Sequence, residues 1–223
     1  GDDPRVHDLL ARQAAADRWS AAICAAPAVL ASTGLLEGKK VTSFPGVLDA
    51  FADLDYRSDP VVQDGRMITS RGPGTAMDFA LALQMPEGPI RWAISPDGRV
   101  DAMALLTGSS SVYMNPKPAL RLSDLLGHAQ PHWTPALLAL QTALRQKRHL
   151  FNMTKSRFSM DWFYPVLCGA VTGSAAGRRI ERQWKKYVVE GLGVRCVSDQ
   201  PWVTVAESSE LVLALAAMGD MEK

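Results

Sequence analysis

The sequence predicts an α/β region of layered helices and parallel strands, joined to a second region that is mostly helical. Three observations carry that reading. Over residues 3–82 helix-like and strand-like patterns alternate, the grammar of a parallel sheet covered by helices. Beyond residue 90 the apolar periodicity is almost wholly helical. Between them lies Met85-Pro86-Glu87-Gly88-Pro89, a run of structure breakers. It places the boundary between Gln84 and Ile90 and the two regions at 1–84 and 90–223.

In the first region a helix is expected over residues 4–16, with Pro4 in a first turn where a missing N–H costs nothing. Residues 19–23 read as a short buried strand, followed without a spacer by Cys24-Ala25-Ala26-Pro27. A small-residue helix over 28–33 comes next and is ended by Gly34. Residues 39–42 are the next expected strand, and 61–69 a hairpin turning on Asp64-Gly65. Gly72-Pro73-Gly74-Thr75 then leads into a helix over 76–83. In the second region another Asp-Gly turn is expected at Asp97-Gly98, followed by helices over 111–126, 134–149, 162–171, 177–189 and 204–218.

Charge and composition remove several classes of function. Lys plus Arg number 24 against 23 Asp plus Glu, so there is no basic field for a nucleic acid backbone or an acidic membrane. Apolar residues make up 47% of the chain, enough to fill a core. The longest apolar runs, 23–36 and 211–218, are interrupted and fall short of the about 20 residues needed to cross a bilayer. The opening Gly1-Asp2-Asp3-Pro4 has neither the basic nor the apolar part of a secretory signal, so a cytoplasmic location is expected. Cys24, Cys168 and Cys196 make no CxxC pair and no even set, which points to reduced thiols. No zinc site and no cofactor are expected.

Cys24 is the leading candidate for chemistry. A nucleophile between a buried strand and a helix is held on a sharp turn and needs small neighbours, which Ala21-Ala22-Ile23-Cys24-Ala25-Ala26-Pro27 supplies. The helix N-terminus would lower the thiol pKa, and the N–H groups of Cys24 and Ala25 would receive an oxyanion. From position alone, a small buried hydrophobe is an equally good reading of this residue. His7 reads as a surface helix residue and Asp78 as a first-turn charge.

Three stretches carry a family resemblance: Ala21 to Pro27, Gly38-Lys39-Lys40-Val41-Thr42-Ser43-Phe44-Pro45, and Gly72-Pro73-Gly74-Thr75-Ala76-Met77-Asp78-Phe79. Their order and spacing resemble the ThiJ/PfpI (protein deglycase) family, over nearly all of residues 1–84. The resemblance implies a flavodoxin-like sandwich, here a partial one, with Cys24 as reactive cysteine and a homodimer as the usual assembly. Glyoxalase, deglycase, chaperone, redox-sensor and peptidase activities all occur on this fold, so it selects no single chemistry. The family's acidic partner of the cysteine belongs to a strand that would precede Gly1, and Phe44 stands where many members carry His.

Residues 90–223 more loosely resemble the C-terminal part of a prenyltransferase and squalene-cyclase-like α/α-toroid protein. The residues concerned are 104–111, 159–165 and 191–204. In such folds, loops with an aromatic beside a carboxylate line a cavity that handles a sugar or a cation. Asp161, Asp199 and Glu207 are the candidates. Their ordinary reading is helix capping and first-turn charge, with Trp162, Tyr164 and Trp202 as packing residues. No Asp-rich magnesium motif is found, and the basic run from Arg178 to Lys186 reads as a solvated helix face.

Three functions are therefore expected in turn. The first is a Cys24-dependent protein acting on small carbonyl substrates or sensing oxidants. The second is a carbohydrate- or terpenoid-handling cavity built on Asp161 and Glu207. The third is a non-catalytic binding or stress-response protein. Each region reads as an incomplete fold, so exposed strand edges in the first should dock against the helical part or another chain.

Overall fold

In the computed structural model of the protein, residues 3–91 and 103–219 are described. They form two compact units, one over 3–83 and one over 84–91 and 103–219. The turn expected at Asp97-Gly98 lies outside the described residues.

The first unit opens with α1 (Pro4–Ala15), whose N-terminus is capped by the Asp3 carboxylate accepting from the Arg5 amide at 2.9 Å. Then come β1 (Ser20–Ile23), α2 (Pro27–Ser32), β2 (Lys40–Val41), β3 (Asp55–Tyr56), β4 (Val61–Asp64) and β5 (Met67–Ser70). A 3-10 turn over Pro73–Thr75 enters α3 (Ala76–Ala82). β4 and β5 form the expected hairpin, which Gly65 closes at a φ of 57°. β1 runs parallel to β5, with Ser20 opposite Met67 and Ile23 opposite Ser70, and β2 runs parallel to β3. Two bonds tie β2 to the hairpin: the Lys40 amide to Asp64 Oδ2 and the Thr42 amide to Thr69 Oγ1, both 2.9 Å. Ala22, Leu30, Leu36, Val41, Leu48 and Met67 make the core. The α/β expectation is met here.

The second unit is largely helical. It contains α4 (Leu106–Met114), α5 (Pro116–Leu125), α6 (Trp133–Gln146), α7 (Met160–Leu167), α8 (Gly173–Tyr187) and α9 (Val205–Met218), with 3-10 turns at Arg148–Leu150 and Met153–Arg157. The single helix expected over 111–126 is two helices, because Pro116 has no N–H to continue the first and starts the second instead. A small antiparallel sheet of β6 (Val188–Val189), β7 (Gly193–Arg195) and β8 (Val203–Thr204) was not expected. Strands of two or three residues are too short to leave a period in the sequence.

α7 is the hub of this unit, packed against α4, α8 and α9. Trp162 is 1% exposed and stacks on Tyr187, ring centroids 5.2 Å apart, with Trp184 edge-on to it. Phe163, Ile180, Leu211 and Leu215 close the cluster. Gly88, at a φ of 116°, lets its turn lie on α6: a Cβ there would come within 2.4 Å of the Ala139 carbonyl. No described helix is long and apolar enough to cross a membrane.

Candidate functional sites

Cys24 follows directly on β1 and has a φ of 64°, in the left-handed region that a residue with a Cβ enters at a cost of about 1–2 kcal/mol. The surrounding bonds hold it there. Its amide donates to the Ser70 carbonyl and its carbonyl accepts from the Phe44 amide, both at 3.0 Å, while the Ala26 amide returns to the Ile23 carbonyl at 3.1 Å. Two of the three sequence stretches singled out above, 21–27 and 38–45, therefore meet at this residue. The Gly72–Thr75 turn joins them through Ser70, whose hydroxyl lies 2.7 Å from Thr75 Oγ1. The Phe44 ring stands 3.5 Å from where a side chain on Gly72 would begin.

One expectation about this elbow needs correction. The Cys24 amide is committed to the sheet, so it is not free to receive an oxyanion; Ala25, exposed in the turn, is the amide left on that side. The six-residue α2 starts at Pro27, within one residue of the helix start expected from the sequence, and the sulfur lies before it. Among the described residues, no side chain hydrogen-bonds to the half-buried Cys24 sulfur. His7 reaches Ser32 Oγ at 3.3 Å, and Asp78 lies in the first turn of α3.

The second constellation surrounds Asp161. This buried residue lies in the first turn of α7, and its carboxylate accepts from Thr107 Oγ1 at 2.6 Å. Thr107 is in the first turn of α4, a helix whose own N-cap, Leu105, supplies no side-chain bond. Asp161 thus caps α4 from another helix. Burial pushes its carboxyl above the ordinary range, against the opposing pull of Thr107, Arg179 and Arg148. With Leu106, Arg148, Phe151, Met153 and Gln183 it lines a small pocket of about 10 Å³, the size of about one water.

Pro165 explains what holds Asp161. In an unbroken helix the amide four residues on would bond the Asp161 carbonyl, but proline has none. Arg179 of α8 supplies the missing donor through Nη2 at 2.7 Å and gives Nε to the Trp162 carbonyl at 2.6 Å. Trp162 answers by donating its indole N–H to the Arg179 carbonyl at 2.9 Å. Burial, and then the nearby Arg148, bring the Arg179 pKa down to about 10. Arg179 is therefore not part of a solvated face.

Glu207 lies in different company. Burial raises its carboxyl, but bonds from Thr204 and Cys196 outweigh that and hold it below the usual range. Cys196 is correspondingly pushed up to about 11 by burial and by Glu207. Tyr164 donates to Glu210 at 2.8 Å. Among the described residues no hydrogen bond links Asp161 to Glu207. Asp199 is half-exposed in an ion pair with Arg157 at 3.3 Å, and Trp202 is exposed. The sequence assigns no site role to Thr107, Arg148, Arg179 or Cys196. Only Pro165, by orphaning a carbonyl beside an aspartate, signalled that an outside donor was needed.

The first unit is thus an α/β region presenting a cysteine on a strained turn after a strand. Residues 1–85 match the DJ-1/PfpI family, and this N-terminal part is a domain of that family. The protein dj-1beta of Drosophila melanogaster is 47% identical over 85 residues, which are 37% of this chain and 46% of that protein. The glutathione-independent glyoxalase DJR-1.2 of Caenorhabditis elegans is 39% identical over 89 residues, 39% of this chain and 47% of the relative. An MMP endo-(1,4)-3-O-methyl-alpha-D-mannosidase of Mycolicibacterium hassiacum is 50% identical over 148 residues, 66% of this chain and 41% of that enzyme. A match of that length necessarily extends beyond residue 85. The chain spans less than half of each of these relatives.

Proposed function

We propose that the two units carry separate chemistries, and that the first uses Cys24 as nucleophile toward reactive carbonyl compounds, or as the thiol that registers oxidants. The left-handed backbone at Cys24 carries this reading. Strain of that kind at a residue other than glycine is kept where the surroundings enforce it, commonly at reactive centres. The Cys24 thiol adds across the aldehyde C=O: its sulfur bonds the carbon, the Ala25 amide receives the oxygen as charge builds there, and the thiol's proton ends on that oxygen to give a hemithioacetal. The glyoxalase relative supports the carbonyl class. The test is lactate formation from methylglyoxal by the purified chain. Cys24→Ala should abolish it and Cys196→Ala should leave it intact; turnover that survives Cys24→Ala ends the reading.

A second reading concerns the helical unit, taken as part of a toroid-type, carbohydrate-handling site in which Asp161 donates a proton to a glycosidic oxygen. Two observations favour it: the mannosidase similarity and a buried carboxyl whose proton is held more tightly than usual. Glycoside cleavage needs one carboxyl of that kind to protonate the leaving oxygen, while a water bonds the anomeric carbon and gives its proton to a second carboxylate. Asp161→Asn separates this role from capping, since Asn caps a helix about as well as Asp but carries no acidic proton. Hydrolysis of a mannoside should fall on the order of a thousandfold with stability retained. An active Asp161→Asn protein would leave Asp161 as a cap alone.

A further inference from the structure

Beside the Asp161 pocket, α8 and the 3-10 turn after α6 enclose an open groove of about 640 Å³. That volume is within the range of ligand-sized clefts, on the order of 300–1,000 Å³. Its walls are made by Arg148, Arg178, Arg179, Arg182, Glu181 and Gln183. Arg148 and Gln183 also line the Asp161 pocket, so the two spaces share a wall. Four guanidinium groups thus meet one carboxylate. Arg178 and Arg182 stand one helical turn apart on α8, and Arg148 faces them from a different element. Arg179 spends Nε and Nη2 on the carbonyls of α7, and its Nη1 has no protein partner among the described residues.

Gathering like charges around a concave space costs energy in the empty protein. A bound oxyanion cancels that cost, because the planar fork of an arginine matches two oxygens of a phosphate or carboxylate. We propose that this groove is a subsite for the anionic substituent, phosphate or carboxylate, of a sugar ligand whose ring lies in the same groove. The inference rests on the reading of Asp161 as part of a carbohydrate site, and its test does not require turnover.

The test is calorimetric titration of the full chain with mannose, mannose 6-phosphate and mannuronate, with inorganic phosphate as a fourth arm. At least one of the two anionic sugars should bind ten or more times more tightly than mannose and than inorganic phosphate. The pair Arg148→Gln and Arg182→Gln, both at exposed positions, should remove that advantage, while Lys185→Gln on the same helix should keep it. The titrations read binding without turnover, so a failed hydrolysis assay and a failed groove are told apart. Equal binding of mannose and both anionic sugars, or an advantage untouched by the two arginine substitutions, overturns the proposal. An affinity for inorganic phosphate equal to that for the sugar phosphate also overturns it, since the groove would then be a plain anion site.

Discussion

Cys24 and Asp161 are both placed by constraints outside their own side chains, but of opposite kinds. In the first unit the constraint is in the main chain: a φ of 64° is pinned by bonds to Ser70 and Phe44. In the second it is in the surroundings: a carboxylate is buried against Thr107, while Arg179 holds its carbonyl across a gap left by Pro165. Strain confined to one residue can be released by changing that residue. Burial shared among several elements cannot, because each partner was positioned for the others.

The largest expected difference is in thiol chemistry. Burial raises the Cys168 pKa, and burial with Glu207 pushes Cys196 up to about 11, so both stay protonated at neutral pH. Cys24 should therefore alkylate with iodoacetamide on the order of a hundredfold faster than either, as read by peptide mass spectrometry. Equal rates for all three would show that the turn does not present the sulfur, and the comparison would lose its first member.

A smaller effect isolates the strain. Cys24→Gly should unfold at higher urea than Cys24→Ala, by about 1 kcal/mol, because only glycine occupies the left-handed region without penalty. If the alanine protein is the more stable, the backbone at this position stores nothing.

The smallest effect concerns the burial of Asp161. Its carboxyl binds its proton more tightly in the folded state than in the unfolded one. The stability linked to that proton is therefore full below the unfolded carboxyl pKa and declines as the pH rises through the folded value. Asp161→Asn keeps the Thr107 bond and has no such decline, so its stability relative to the unaltered chain should climb as the pH rises from about 4. A difference independent of pH across that interval would mean that Asp161 is solvated.

How far the sequence exposed these features depends on their range. The hairpin on Asp64-Gly65, the parallel strand before Cys24 and most of the long helices follow from local patterns of two to four residues, and they are found where expected. The break at Pro116 was written in the chain, but helical periodicity on both sides of Asn115 masked it. What surrounds Asp161 was not legible. Thr107 and Asp161 are 54 positions apart, and Arg179 and Asp161 are 18 apart, and no local period joins such pairs. The direction of a carboxylate's pKa shift is likewise a property of packing. Glu207 and Asp161 look alike in the sequence and move in opposite directions once buried beside different donors.

The debt that Pro165 leaves in α7 also bears on the order in which the chain is assembled. A helix that must borrow a donor from α8 cannot be finished by its own residues, and synthesis delivers residue 161 before residue 179. α7 should therefore stay frayed on the ribosome until α8 emerges and docks, making the two helices one cooperative step.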